Sequence, residues 1–97
     1  MLCKHLRIGG SVTIGVSILT FTGRDRNVAQ FDVNVKGLRH PTVLGGYPIF
    51  MQLDGPDLNV PVQDPDGGHW NACLRCIDLR ASYVEIGIEA PQEVRIK

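Results

Sequence analysis

The stretch Tyr83-Val84-Glu85-Ile86-Gly87-Ile88-Glu89-Ala90-Pro91-Gln92-Glu93-Val94-Arg95-Ile96-Lys97 decides the fold. Val84, Ile86 and Ile88 alternate with Glu85, Gly87 and Glu89. That period of two turns one face of a strand inward and the other outward. Ala90-Pro91 ends the strand, because proline has no N–H to give to a ladder. Val94 and Ile96 then alternate again and predict a second short strand. Directly upstream, Ala72–Leu79 reads as a further strand joined to Tyr83 by a short turn. The C-terminal part of the chain is therefore a series of antiparallel strands.

Working outward, the remaining sequence carries the same signature. No window holds apolar residues at i, i+3, i+4 and i+7 between helix caps. Eleven glycines and six prolines divide short β-rich runs instead, which predicts an all-β fold of antiparallel strands. Ser11–Ile14 and Val16–Thr22 read as strands, the second ending at Gly23 before the polar turn Arg24–Asn27. Phe31, Val33 and Val35 alternate with Asp32 and Asn34 until Gly37. His40-Pro41 and Gly45-Gly46 signal turns. Ile49–Leu53 is a strand with Pro48 at its start or on an edge. Turns follow at Asp54–Asp57 and Asp64–Gly68. Between them Leu58, Val60 and Val62 alternate, and Pro61 assigns that strand to an edge. Neither an internal repeat nor a low-complexity linker is visible.

A chain of 97 residues makes one small domain with a limited core, so burial of its faces against a second copy is expected. The formal net charge is zero, which withholds the overall basicity that phosphate binding draws on. The charges are nevertheless unevenly placed. Segments 1–15 and 71–97 carry six Lys and Arg against four acids, whereas residues 16–70 carry four against six. No apolar run approaches the ~18 residues of a membrane span, and no leader is visible. Three cysteines are an odd set for a disulfide scaffold. A reduced, cytoplasmic protein without membrane contact is the expectation.

The run Val84-x-Ile86-Gly87-Ile88-x-Ala90-Pro91-x-Glu93-Val94-x-Ile96 resembles the end of the carbon storage regulator family, small RNA-binding translational regulators. Met1, Leu2, Arg7, Gly9, Val12, Ile14 and Gly15 keep the spacing of that family's beginning, and Asn71–Arg80 fits its third strand. The resemblance covers Met1–Gly15 and Asn71–Lys97. Residues 16–70 then form an insertion between the family's second and third strands, with enough alternating apolar residues to be an ordered β subregion. A second register takes Val16–Thr22 as the third strand, with the insertion after it.

The resemblance implies an intertwined homodimer in which the first and last strands of different chains lie side by side. Their edges read GGA-containing single-stranded loops in messenger or small RNA. Carried onto this sequence, the RNA-binding residues are Lys4, His5, Arg7, Ala90, Pro91, Val94, Arg95 and Lys97. Arg7 leads them, because guanidinium offers paired donors to guanine or phosphate. The family has two adjacent basic residues there, where this chain has Leu6-Arg7 with Lys4 and His5 nearby. The family also continues past its last strand with an arginine and a helix, whereas this sequence reads to Lys97. Lysine brings charge but not the planar fork, so weaker binding than the family norm is expected. Residues 16–70, acidic around Asp54–Asp66, are a candidate surface for a protein partner. The competing reading is a dimeric interaction module that keeps the strands without binding RNA.

Other motifs lead elsewhere. His69 and Cys73-x-x-Cys76 contain a zinc-like spacing, but on one strand the two cysteines point to opposite faces. Cys3, His5 and His40 add no metal-type spacing. Cys3 and His5 share a strand face with nothing to orient them as nucleophile and base. The aspartates between 54 and 66 lack the ligand order and closing glutamate of a calcium loop. Trp70 after a Gly-Gly turn reads as a core anchor. No cofactor, metal or enzymatic activity is expected.

Overall fold

The structure is a computed structural model and describes residues 2–35, 47–63, 69–92 and 94–97. The all-β expectation holds, with no helix among these residues. Eight strands follow in order: β1 Leu2–Arg7, β2 Ser11–Ile14, β3 Ser17–Asp25, β4 Val28–Val35, β5 Tyr47–Gln52, β6 Leu58–Gln63, β7 His69–Leu79 and β8 Tyr83–Glu89. They form two four-stranded antiparallel sheets, ordered β1-β8-β7-β6 and β2-β3-β4-β5. Residues 16–70 supply β3 to β6 and the start of β7, hydrogen-bonded into both sheets on equal terms with the chain ends. The turn signals at His40-Pro41, Gly45-Gly46 and Asp64–Gly68, with Met1 and Glu93, lie outside the described residues.

The alternation read from the sequence is the alternation observed. Val84, Ile86 and Ile88 are buried, as are Val12, Ile14, Leu19, Phe21, Phe31, Val33 and Leu74 from both sheets, in a single apolar core. Pro61 lies in β6, the outermost strand of its sheet, and Pro48 in β5, the outermost of the other. Two details differ. β3 continues through Gly23 to Asp25, so the polar turn shrinks to Arg26-Asn27, with Arg26 at φ 55°. The ladder absorbs the extra residue as a bulge between Phe21 and Gly23. The short strand expected at Val94 and Ile96 is a single antiparallel bridge, Ile96 to Ile14. There the Lys97 N–H donates to the Thr13 carbonyl at 2.8 Å, and the Gly15 N–H to the Arg95 carbonyl at 2.7 Å. Residues 95–97 thereby cover the outer edge of β2.

The two sheets repeat one another, although the sequence shows no repeat. β1 to β4 and β5 to β8 are equivalent units that have exchanged their first strands: β1 lies on β8, and β5 lies on β4. Leu6 stands opposite Val84, and Met51 opposite Ala29. Leu19 faces Val33 as Leu74 faces Ile88. The bulge between Phe21 and Gly23 has its counterpart between Cys76 and Asp78. The turn after each exchanged strand uses the same bonds. Gly10 N–H donates to the Arg7 carbonyl at 2.7 Å, and Gly55 N–H to that of Gln52 at 3.0 Å. Gly9 N–H reaches the Phe21 carbonyl at 2.7 Å, and Asp54 N–H that of Cys76 at 3.3 Å. A methyl group on Gly10 would stand 2.9 Å from the Arg7 oxygen, and one on Gly55 2.8 Å from the Gln52 Cβ, which accounts for glycine at both places.

Candidate nucleic-acid interface

β1 divides its residues between two faces. Leu6 points into the core and Lys4, on the same face, is half-buried, whereas His5 and Arg7 face outward and are exposed. The register sets His5 beside Glu85 and Arg7 beside Tyr83. An open cleft of about 670 Å³ lies here, lined by His5, Leu6, Arg7, Ile8, Ser82 and Tyr83. The His5 and Tyr83 rings stand 6.1 Å apart, tilted by 47°.

Most basic side chains on this outer face already have a carboxylate partner. His5 Nε2 lies 3.4 Å from Glu85 Oε2. Arg80 Nε donates to Asp78 Oδ2 at 3.1 Å, and the Tyr83 hydroxyl to the same oxygen at 3.3 Å. Arg75 grips Asp57 with both ends of its fork, at 2.6 and 3.2 Å. That grip, helped by the Cys73 thiol at 3.2 Å, holds the Asp57 carboxyl below the usual carboxylate range. Arg80 does the same for Asp78. Arg7 has no carboxylate partner among the described residues.

The second group of sequence-chosen residues sits beyond β8. Ala90 and Pro91 follow the strand directly and are half-buried, and the Pro91 carbonyl accepts the Val94 N–H at 3.0 Å. Val94 is buried in the core. Arg95 and Lys97 are exposed and are held by the backbone pairing to β2. Lys4, His5 and Arg7 thus lie on the outer strand of one sheet, and Arg95 and Lys97 outside the other, with the β1–β2 turn linking the two groups. Sequence reasoning missed Tyr83 and Ser82 as walls of the cleft. Their place follows only once β1 is known to lie on β8.

The other sequence motifs also find their places. Cys73 is half-buried and Cys76 fully buried on the opposite face of β7. Its hydrogen bond to Asp57 pushes the Cys73 thiol pKa up, and burial does the same for Cys76. Among the described residues no three His, Cys, Asp or Glu side chains cluster as metal ligands. Trp70 packs partly buried against the core. No helix among the described residues is long and apolar enough to cross a membrane. No family model, curated protein or solved structure matches the chain.

Proposed function

We propose that this protein binds GGA-containing single-stranded RNA loops and regulates translation through them. The observation that carries the reading is Arg7, exposed on the outer face of β1 without a carboxylate partner among the described residues. It lines an open cleft together with His5 and Tyr83. A planar guanidinium beside aromatic rings suits an unstacked purine: the fork pairs with a base edge or a phosphate, and a ring stacks on a base. Lys4, Arg95 and Lys97 add positive charge. Ala90, Pro91 and Val94 supply the main chain that the resemblance assigns to base reading.

Gel-shift titration against a GGA hairpin and a loop-scrambled control tests this. Affinity for the GGA loop should exceed that for the control and fall as salt rises. Arg7→Ala should weaken binding by about 1–3 kcal/mol. Equal affinity for both loops, or an Arg7→Ala variant that binds as before, rejects the reading.

Assembly belongs to the same proposal. The sequence leads us to expect a homodimer that exchanges strands between chains. β1 on β8 and residues 95–97 on β2 are the pairings that such an exchange would share between two chains or that one chain completes by itself. Light scattering at micromolar concentration separates the mass of one chain from that of two.

A second reading, an interaction module without RNA binding, is favoured by Tyr47 and Phe50. These residues of the outer strand β5 are 43% and 54% exposed. In that reading the partner surface includes residues 16–70. Asp57 is already committed to Arg75.

A further inference from the structure

We infer that the RNA site exists once per chain, on β1, and that the equivalent edge on β5 is silent. This rests on the RNA reading above. The equivalence of the two exchanged strands is a matter of backbone register and owes nothing to that reading. Pairing of Leu6 with Val84 and of Met51 with Ala29 puts each β1 residue in correspondence with one of β5. Lys4 then corresponds to Ile49, His5 to Phe50 and Arg7 to Gln52. The residues opposite change as well: Arg7 faces Tyr83, whereas Gln52 faces Val28. His5 faces Glu85, whereas Phe50 faces Gln30.

The same backbone site therefore occurs twice with two chemistries. On β1 it carries ammonium, imidazole, guanidinium and a phenol across the strand pair. On β5 it carries isoleucine, phenylalanine and an amide, opposite valine. Phosphate binding draws on cations, and β5 contains none. On β5 itself a base meets Phe50 and Tyr47, with no cation of that strand to hold its phosphate. A twofold scaffold thus presents one RNA edge, and the stoichiometry should be one hairpin per chain.

Native mass spectrometry of the full chain, titrated with a short GGA hairpin, reads this directly. One hairpin per chain is the expected result. Transplanting the cations with Ile49→Lys and Gln52→Arg should raise the number to two. Adding Arg7→Ala to that variant should return it to one. Circular dichroism checks that the double variant folds. If it does not, Gln52→Arg alone, at an exposed side chain, should give a weaker second binding event. Two hairpins on the unaltered chain would overturn the inference and leave the RNA reading intact. One hairpin per two chains would also overturn it, because the site would then need a second copy. No hairpin at any concentration would remove the RNA reading and this inference together.

Discussion

Ser17 and Ala72 occupy equivalent places, opposite Ile14 and Val60, and only the serine brings a polar atom there. Ser17 is 1% exposed and its Oγ has no hydrogen-bond partner among the described residues. A buried hydroxyl left unpaired costs roughly 1–3 kcal/mol. Ser17→Ala should therefore leave stability unchanged or raise it by up to about that amount, seen as a higher urea midpoint. Asp57 makes the opposite case, a polar group whose partners define it. Its folded pKa is depressed by Arg75 first and Cys73 second. A depressed carboxylate stabilises the fold above its unfolded pKa, and that contribution fades as pH falls toward the folded value. Asp57→Asn should thus lower stability at neutral pH and flatten the loss on acidification, measured by denaturation at a series of pH values below 5. The sequence shows Asp57 only as a turn residue. Its bond to Arg75 runs from the turn before β6 to β7, and no local pattern encodes that.

At the scale of elements, the tight turns after β1 and β5 make matched demands on the backbone. Gly9 has φ 87° and its equivalent Asp54 has φ 55°, both in the left-handed region. A side chain there costs roughly 1–2 kcal/mol in an ordinary L-residue, less for aspartate. Gly9→Ala should lose about that much from strain alone, since an added methyl meets nothing within 4 Å. Asp54→Gly should gain a fraction of it. Thermal melts of the two variants give the two signs. Strand positions were legible in the sequence because alternation states which side chains face inward, as at Val84, Ile86 and Ile88. Edge status was legible for β6 because Pro61 lacks a donor. The neighbour of each strand was not legible: alternation names a face and says nothing of which strand lies alongside. Pairing of β5 with β4, and of β1 with β8 in the same chain, therefore came from the structure. The walls that Tyr83 and Ser82 give to the Arg7 cleft came with it.

For the whole molecule, the paired architecture makes a quantitative claim. Leu19 and Leu74 are equivalent residues of the two sheets, both fully buried in one core. Leu→Ala at either site should cost about 2–5 kcal/mol, and the two values should agree within about 1 kcal/mol. Urea denaturation of each variant tests this, and a wide gap would mean that the two sheets do not share their core evenly. The repeat escaped sequence reading because most equivalent core positions share apolar character rather than identity. Phe21 corresponds to Cys76, Ala29 to Val84 and Phe31 to Ile86. Of the candidate site, Arg7 was legible as a cation at a family-like spacing. The carboxylate contacts of its neighbours His5 and Arg75 were not, since Glu85 and Asp57 lie far from them in the sequence.

The exchange of first strands also sets an order in time. β5 follows its partner β4 directly in the strand order, whereas β1 waits for β8, roughly 80 residues later in synthesis. At ~5–20 residues per second the ribosome imposes a delay of roughly 4–16 s. Throughout it, the main-chain donors and acceptors of Leu2–Arg7 have water but no strand partner, and a strand in that condition invites pairing with other nascent chains. Refolding from denaturant removes the delay but not the long closure, so it should fall in the millisecond-to-second range of non-local β topologies. Docking of β1 on β8 thus needs nearly the whole chain, and slower translation of the second half lengthens the interval during which β1 lacks its partner.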